Sequence, residues 1–363
     1  MKNSIGTSVI LTLAGESHGA MLCAILDGMA PGIPVDEAFI ASQLSLRRPG
    51  GPADTARREQ DRFSIVSGVA GGVTTGAPIT VLIPNEDVRS ADYEAMASIP
   101  RPSHADYAAH VKYGGFEDPR GGGHFSGRIT ACIVAAGAIA LSALERKGIT
   151  IGTHILECAG VRDLPFSDID PSAQIEKVKK MDFPVISDVR EAMEAKILAA
   201  KAEQDSVGGI IQTAVCGFPA GVGEPWFGSV EGVLSNALFS IGGIKGVEFG
   251  AGFSLAGMRG SEANDAFCIC DGHVSTKTNR SGGINGGISN GMPLIFNAVV
   301  KPTPSIGKVQ DSVDLSSGRS AELSIKGRHD PAIVRRVSIV VSSLVAVVLC
   351  DLLALRFGTD YLK

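Results

Sequence analysis

The chain has 363 residues, a formal net charge of −5, 44% hydrophobic residues and 20% charged ones. That length allows two average domains or one large one, and the composition excludes extended disorder. The acidic balance argues against a general nucleic-acid binder, yet leaves room for small anions held by local arginines.

The chain opens on an early lysine and a short apolar stretch that could pass for a weak signal peptide. Glu16 and His18 follow directly, with no clean small-residue cleavage site, so a buried first strand is expected instead. Gly15-Glu16-Ser17-His18-Gly19 comes next. It lacks the helix that should follow a G-x-S-x-G nucleophile elbow, and its residues alone fit a capped glycine turn or one wall of a site equally well.

After an apolar run at 21–27 and a turn at 31–34, residues 36–46 are expected to be helical, with Asp36 as N-cap. Arg47-Arg48-Pro49-Gly50 follows, then Arg57, Arg58 and Asp61. Guanidinium forks bind phosphate and carboxylate bidentately, and a loop fixed by proline and glycine favours Arg47 and Arg48 over the later arginines. Residues 76–84 read as a strand. Arg101-Pro102-Ser103-His104-Ala105-Asp106-Tyr107 puts a histidine, a candidate acid or base, in a proline-containing loop.

The run Arg120-Gly121-Gly122-Gly123-His124-Phe125-Ser126-Gly127-Arg128 leads into an alanine-rich helix expected over 129–147, capped by Gly148. Glycines before a helix N-terminus expose amides to an anion, and Arg128 adds a full charge, making this the strongest anion-site signal in the chain. A strand follows at 149–161. Residues 170–203 are helical in pattern with an interruption near Pro184, 208–217 and 292–300 read as strands, and a helix starts in 232–239. The last third carries Gly282-Gly283-Ile284-Asn285-Gly286-Gly287, Lys301-Pro302-Thr303-Pro304-Ser305 and Gly327-Arg328-His329-Asp330-Pro331, each of which alone is most simply a turn.

Residues 337–355 are apolar enough to span a bilayer, but Asp351 inside them would be costly in lipid, so a buried core helix is expected. The seven cysteines are scattered, and only Cys268 and Cys270 are close, so reduced thiols without a metal site are expected. Strands run adjacent through short glycine turns, and no G-x-G-x-x-G opens a helix. This points to a single α+β domain over 1–363, a layered β-α-β sandwich with mainly antiparallel sheets, rather than a doubly wound nucleotide-binding sheet.

Taken together and in order, GESHG at 15–19, RRPG at 47–50, RPSHADY at 101–107, GGINGGISNG at 282–291, KPTPS at 301–305 and GRHDP at 327–331 resemble chorismate synthase over nearly the whole chain. The resemblance implies a homotetramer that uses reduced FMN to eliminate phosphate from C3 and a proton from C6 of 5-enolpyruvylshikimate 3-phosphate, a cytoplasmic lyase of the shikimate pathway. It implies catalytic roles for His18, beside the departing phosphate, for His104, beside the flavin, and for Asp330, in proton removal. It assigns substrate contacts to Ser17, Arg47, Arg48, Arg128 and Arg328. Its flavin contacts fall on His124, Phe125, Ser126, Gly242, Gly243, Gly286, Lys301, Pro302, Thr303, Pro304, Ser305 and Arg328. Three departures stand out. His124-Phe125 replaces an Arg-Ser pair, Ala53 stands where many members have a second arginine, and Gly242-Gly243 replaces Asn-Ala. With no extra domain and no nucleotide fingerprint, the chain is expected to take flavin reduced elsewhere, by an external reductase, rather than to reduce it with NADPH. No metal, nucleic-acid or membrane partner is expected.

Overall fold

The computed structural model describes residues 2–51, 60–86, 98–270, 272–325 and 330–363. The first sheet holds β1 (Ser4–Ile5), β2 (Ile10–Ala14), β3 (Met21–Asp27), β4 (Ser64–Ser67) and β5 (Ile79–Pro84), in the order β1-β2-β3-β5-β4. The second holds β6 (Thr150–Cys158), β7 (Val161–Arg162), β8 (Gly209–Cys216), β9 (Ile244–Phe249) and β10 (Leu294–Val300), in the order β9-β10-β8-β6-β7. Every described ladder in both sheets is antiparallel.

The burial pattern tells the layers apart. β3 and β5 alternate, with Leu22, Ala24 and Leu26 on one strand and Ile79, Val81 and Ile83 on the other turned to the core, as a sheet with one wet face requires. β6 and β8 are buried on almost every residue because both faces are covered. Helix α4 (Pro171–Val178) lies on their outer side, where Ile175 and Val178 pack with Phe166, Ala214 and Cys216.

Between the sheets run α1 (Glu37–Arg47), α3 (Thr130–Arg146), α6 (Val230–Ser240) and α7 (Val334–Phe357). The remaining longer helices are α2 (Asp106–Tyr113) and α5 (Arg190–Ala202). Gly137 is why α3 and α7 cross so closely, since a β-carbon there would stand 2.5 Å from both Cβ and the carbonyl oxygen of Ser343. One hydrophobic cluster joins both sheets and the inner helices, from Val9 to Leu362.

Two helices are long and apolar enough to cross a membrane, and their most apolar windows are 83% and 94% buried inside the protein. The Asp351 carboxylate within α7 accepts the backbone amides of Thr7, Ser8 and Val9 at 2.6–3.1 Å. An acidic group that costs too much in lipid is here satisfied by three donors.

Most expected elements appear within one to three residues of their place. Asp36 caps α1 through the amides of Ala38 and Phe39, and Gly148 follows α3 at φ +73°. Two expectations change. The opening strand β2 is half-buried rather than buried. The helical pattern over 170–203 breaks from 179 to 189, wider than Pro184 alone suggests. Proline disfavours the helical conformation in the residue before it, and the Pro184 carbonyl leaves the helix ladder to accept the Ile155 amide of β6 at 2.8 Å.

Candidate active site

Four loops converge at one end of the inner layer. The turn after β2 carries Ser17 and His18, and the loop 120–125 lies directly on it. The Ser17 amide donates to the Gly123 carbonyl at 3.0 Å, and His124 Nδ1 lies 2.8 Å from the Gly15 carbonyl, so Nδ1–H donates there. Gly121, Gly122 and Gly123 all have positive φ, a path closed to most side chains. A β-carbon on Gly121 would lie 2.8 Å from Ser17 Oγ, and one on Gly122 would lie 3.3 Å from His104 Cε1. The glycine run is therefore the floor between His18 on one side and His104 on the other.

Beneath it sit Arg47, from the C-terminal end of α1, and Arg128, just before α3. Both are buried and both reach Asp61. Arg47 Nη2 donates to both carboxylate oxygens at 2.9 and 3.1 Å, and Arg128 Nη1 donates to Oδ1. Arg128 is aimed further by Asn85 Oδ1 at 3.0 Å and the Pro84 carbonyl at 3.1 Å. Asn85 in turn donates to the carbonyls of Glu16 and Gly19, which links the arginine pair to the His18 turn. Ser17 Oγ and Arg47 Nε are buried and lack a hydrogen-bond partner among the described residues. Buried polar atoms left this way are uncommon in folded chains and mark where a ligand's polar atoms belong.

The His104 loop is held from the opposite side. Arg101 and Asp106 form a bidentate pair, with Nε to Oδ2 at 2.7 Å and Nη2 to Oδ1 at 2.8 Å, and His104 Nδ1 stands 2.5 Å from Asp106 Oδ1. Burial acts to raise the Asp106 pKa, but the hydrogen bonds from Arg101 and His104 outweigh it and hold the carboxyl well below the usual range. Arg101 Nη1 reaches Ser305 Oγ at 3.2 Å, and Lys301 Nζ donates to the Ser103 carbonyl, so loop 301–305 closes this side. Burial and the neighbouring Lys245 both lower the Lys301 pKa. Two ammonium groups close enough to repel suit a phosphate or another anion. The Lys301 amide donates to the Gly243 carbonyl at 2.9 Å, while the Thr303 hydroxyl donates to the Asp330 carbonyl at 2.7 Å. The Asp330 carboxylate accepts from Arg336 at the start of α7.

Ser17, His18, Arg47, His104, His124 and Arg128 thus meet, with Gly243, the loop Lys301–Ser305 and Asp330 along one side. Ser126 caps the turn before α3 by accepting the Arg128 amide at 3.3 Å, and Phe125 is part-exposed against Tyr113. Arg48 lies next to the cluster but turns its guanidinium to the Gln60 carbonyl. Gly286 is elsewhere in the chain. The carbonyl of the next residue, Gly287, accepts the Val230 amide at the start of α6, whereas Gly243 follows the end of that helix, which at 1.5 Å per residue is about 16 Å long. Ala53, Arg57, Arg58, Arg328 and His329 lie outside the described residues.

Asn85, Arg101 and Asp106 carry no role in the sequence reading. Arg101 and Asp106 sit inside the RPSHADY run, where a histidine flanked by an arginine and an acid was the available signal. Asn85 had none, because its part is fixed only by what folds beside it.

The residues fit an anionic flavin and a phosphorylated substrate. Ser17 Oγ and Arg47 Nε, unpartnered among the described residues, and the cationic side at Lys301 and Lys245 both suit anionic groups.

Comparison with known proteins identifies the family. The family model described as chorismate synthase matches residues 9–354. The chorismate synthase of Methanocella arvoryzae is 45% identical over 352 residues, covering 96% of this chain and 93% of that one. Those of Korarchaeum cryptofilum and Chitinophaga pinensis are each 44% identical, over 95% and 98% of this chain and 96% and 97% of their own lengths. A solved structure titled "Crystal Structure of Chorismate Synthase" superposes with a TM-score of 0.77 at 27% identity, covering 97% of this chain and 94% of that one.

Proposed function

The chain belongs to the chorismate synthase family, and we propose that it eliminates phosphate from 5-enolpyruvylshikimate 3-phosphate with the help of reduced FMN. The observation that carries this reading is the buried pair Arg47 and Arg128 on one carboxylate, with Ser17 Oγ and Arg47 Nε unpartnered among the described residues.

In this reading Arg47, Arg128 and Ser17 grip the anionic groups of the substrate, with Arg48 beside them, and Arg328, which lies outside the described residues, joins the clamp as the family resemblance implies. His18 stands as a cation beside the departing phosphate and offsets the charge that grows as the C3–O bond breaks. His104, beside Gly122, would hold or protonate the reduced flavin. Asp330, held by Arg336, would assist proton removal at N5 of the bound flavin. Lys301 to Ser305, Gly242, Gly243, Ser126 and the backbone of His124-Phe125 line the flavin side, and Gly286 would join it only from a second protomer. Reduced FMN, when bound, supplies the electron-rich ring on which such an elimination depends. The C3–O and C6–H bonds break, and the phosphate and the proton leave with the electrons kept in the new double bond, so the elimination involves no net oxidation.

We read the whole chain as one domain, since a single core cluster runs from Val9 to Leu362. A cytoplasmic homotetramer supplied with flavin by an external reductase completes the proposal. The test is anaerobic: pure protein, 5-enolpyruvylshikimate 3-phosphate and chemically reduced FMN should release phosphate and form chorismate. Folded protein that binds FMN and yields no chorismate overturns the reading. NADPH oxidation at the turnover rate by the pure protein with FMN would overturn the reliance on an external reductase alone.

A further inference from the structure

Asp106 opens α2 and makes more contacts than a helix start requires. Its carboxylate accepts the Arg101 backbone amide at 3.0 Å, Arg101 Nε at 2.7 Å and Arg101 Nη2 at 2.8 Å, while His104 Nδ1 stands 2.5 Å from Oδ1. An ionised carboxylate only accepts hydrogen bonds. A ring nitrogen held this close to it therefore carries its proton on that side. Arg101 Nη2 is also 3.0 Å from Nδ1, but a guanidinium has no lone pair, so it competes for Nδ1 only if the proton leaves. The charged groups around this ring are Arg101 on its own loop, Asp106 on α2 and Lys301, whose ammonium donates to the Ser103 carbonyl.

The other ring nitrogen points to the site. A β-carbon on Gly122 would lie 3.6 Å from His104 Nε2, so that nitrogen faces the glycine floor across from His18. The same guanidinium that clamps Asp106 also donates to Ser305 Oγ at 3.2 Å, which ties the histidine's anchor to loop 301–305.

We infer that Asp106, clamped by Arg101, is a positioning residue that fixes His104 with its proton on Nδ1 and presents Nε2 to the bound ligand. The inference rests on the reading of His104 as an active-site histidine. An acid that holds a histidine from behind sets both its tautomer and its orientation. The neutral ring then offers a lone pair at Nε2, and the cationic ring offers an N–H there, with no rotation between the two.

The experiment has two arms. In ligand-free protein labelled with 15N-histidine, long-range 1H–15N spectra at alkaline pH report which nitrogen of His104 is protonated. The expected result is the Nδ1–H tautomer in the wild type, and loss of that tautomer in Asp106→Asn, whose amide and the released Arg101 can both donate to Nδ1. A wild-type Nε2–H tautomer overturns the inference, and this reading stands even if the variant fails to fold. In the second arm, kcat of Asp106→Asn should fall about 10-fold or more, because the acid behind a histidine sets its working tautomer, with substrate KM little changed and Asp106→Glu partly restored. Undiminished kcat in a folded Asp106→Asn also overturns it. Wild-type protein without turnover counts against the proposed reaction, while the spectra still decide the role of Asp106.

Discussion

The ring of His18 fills the space that Gly121 leaves vacant: a β-carbon at Gly121 would stand 2.2 Å from His18 Cε1 and 2.4 Å from Nδ1. Gly121 also lies at φ +59°, so both its backbone and its missing side chain serve the same contact. Gly121→Ala should therefore displace His18 by an ångström or more and cost turnover about 10²-fold, the usual penalty for misplacing a reacting group by that distance. Steady-state kinetics beside a circular-dichroism melt will separate this from unfolding. Full activity in the variant would show that His18 does not need this seat.

Asp61 supports a different kind of test. Its side chain is fully buried and serves both Arg47 and Arg128. Asp61→Ala leaves two buried guanidiniums without their shared acceptor, and breaking a buried pair in this way costs about 3–5 kcal/mol. Urea unfolding should show that loss at neutral pH, and a change below 1 kcal/mol would mean that water or a neighbour takes over.

Ser103 sits at φ +59° in the His104 loop, a conformation that L side chains pay for and glycine does not. Ser103→Gly should raise unfolding free energy by about 0.5–1 kcal/mol, the strain relieved less the extra freedom of glycine in the unfolded chain. Thermal melts will report it, with activity retained. A lower melting temperature would mean that the serine hydroxyl makes a contact worth more than the strain.

Acid stability should hinge in part on Asp163. Its buried carboxylate accepts the amides of Leu164, Ile186 and Ser187 and faces His154 Nδ1 at 3.3 Å. Burial acts to raise its pKa, but the hydrogen bonds from His154, Ile186 and Ser187 drive it well below the ordinary 3.8. A depressed carboxylate stabilises the fold fully above the unfolded value and loses that contribution as pH falls through the folded one. Unfolding free energy should thus drop below about pH 4 in the wild type, while Asp163→Asn should be weaker at pH 7 and show a shallower acid slope. Parallel slopes would remove Asp163 from the account.

The fold class, α3, α7 and most strands were legible in the sequence because each rests on local periodicity and caps such as Asp36 and Gly148. The loops bearing His18, His104 and Lys301 were legible as chemistry, since glycine, proline and charge stand together in them. What was not legible is partnership across the chain. Asn85 follows a strand with no local sign that it would aim Arg128, and Asp61 stood among arginines with nothing to say it would bind two of them. Gly286 shows the converse: a loop that carries a family motif lies a helix length from Gly243.

The three amides at Thr7, Ser8 and Val9 meet a carboxylate about 340 residues later. During synthesis the first sheet must wait, its edge unanchored, until residue 351 has left the ribosome. Contacts of such long sequence separation slow folding, so the early strands face a long interval of exposure. The last helix is thus a closing bolt for the first sheet, and a chain cut before it would keep its anion-binding loops while losing what braces them.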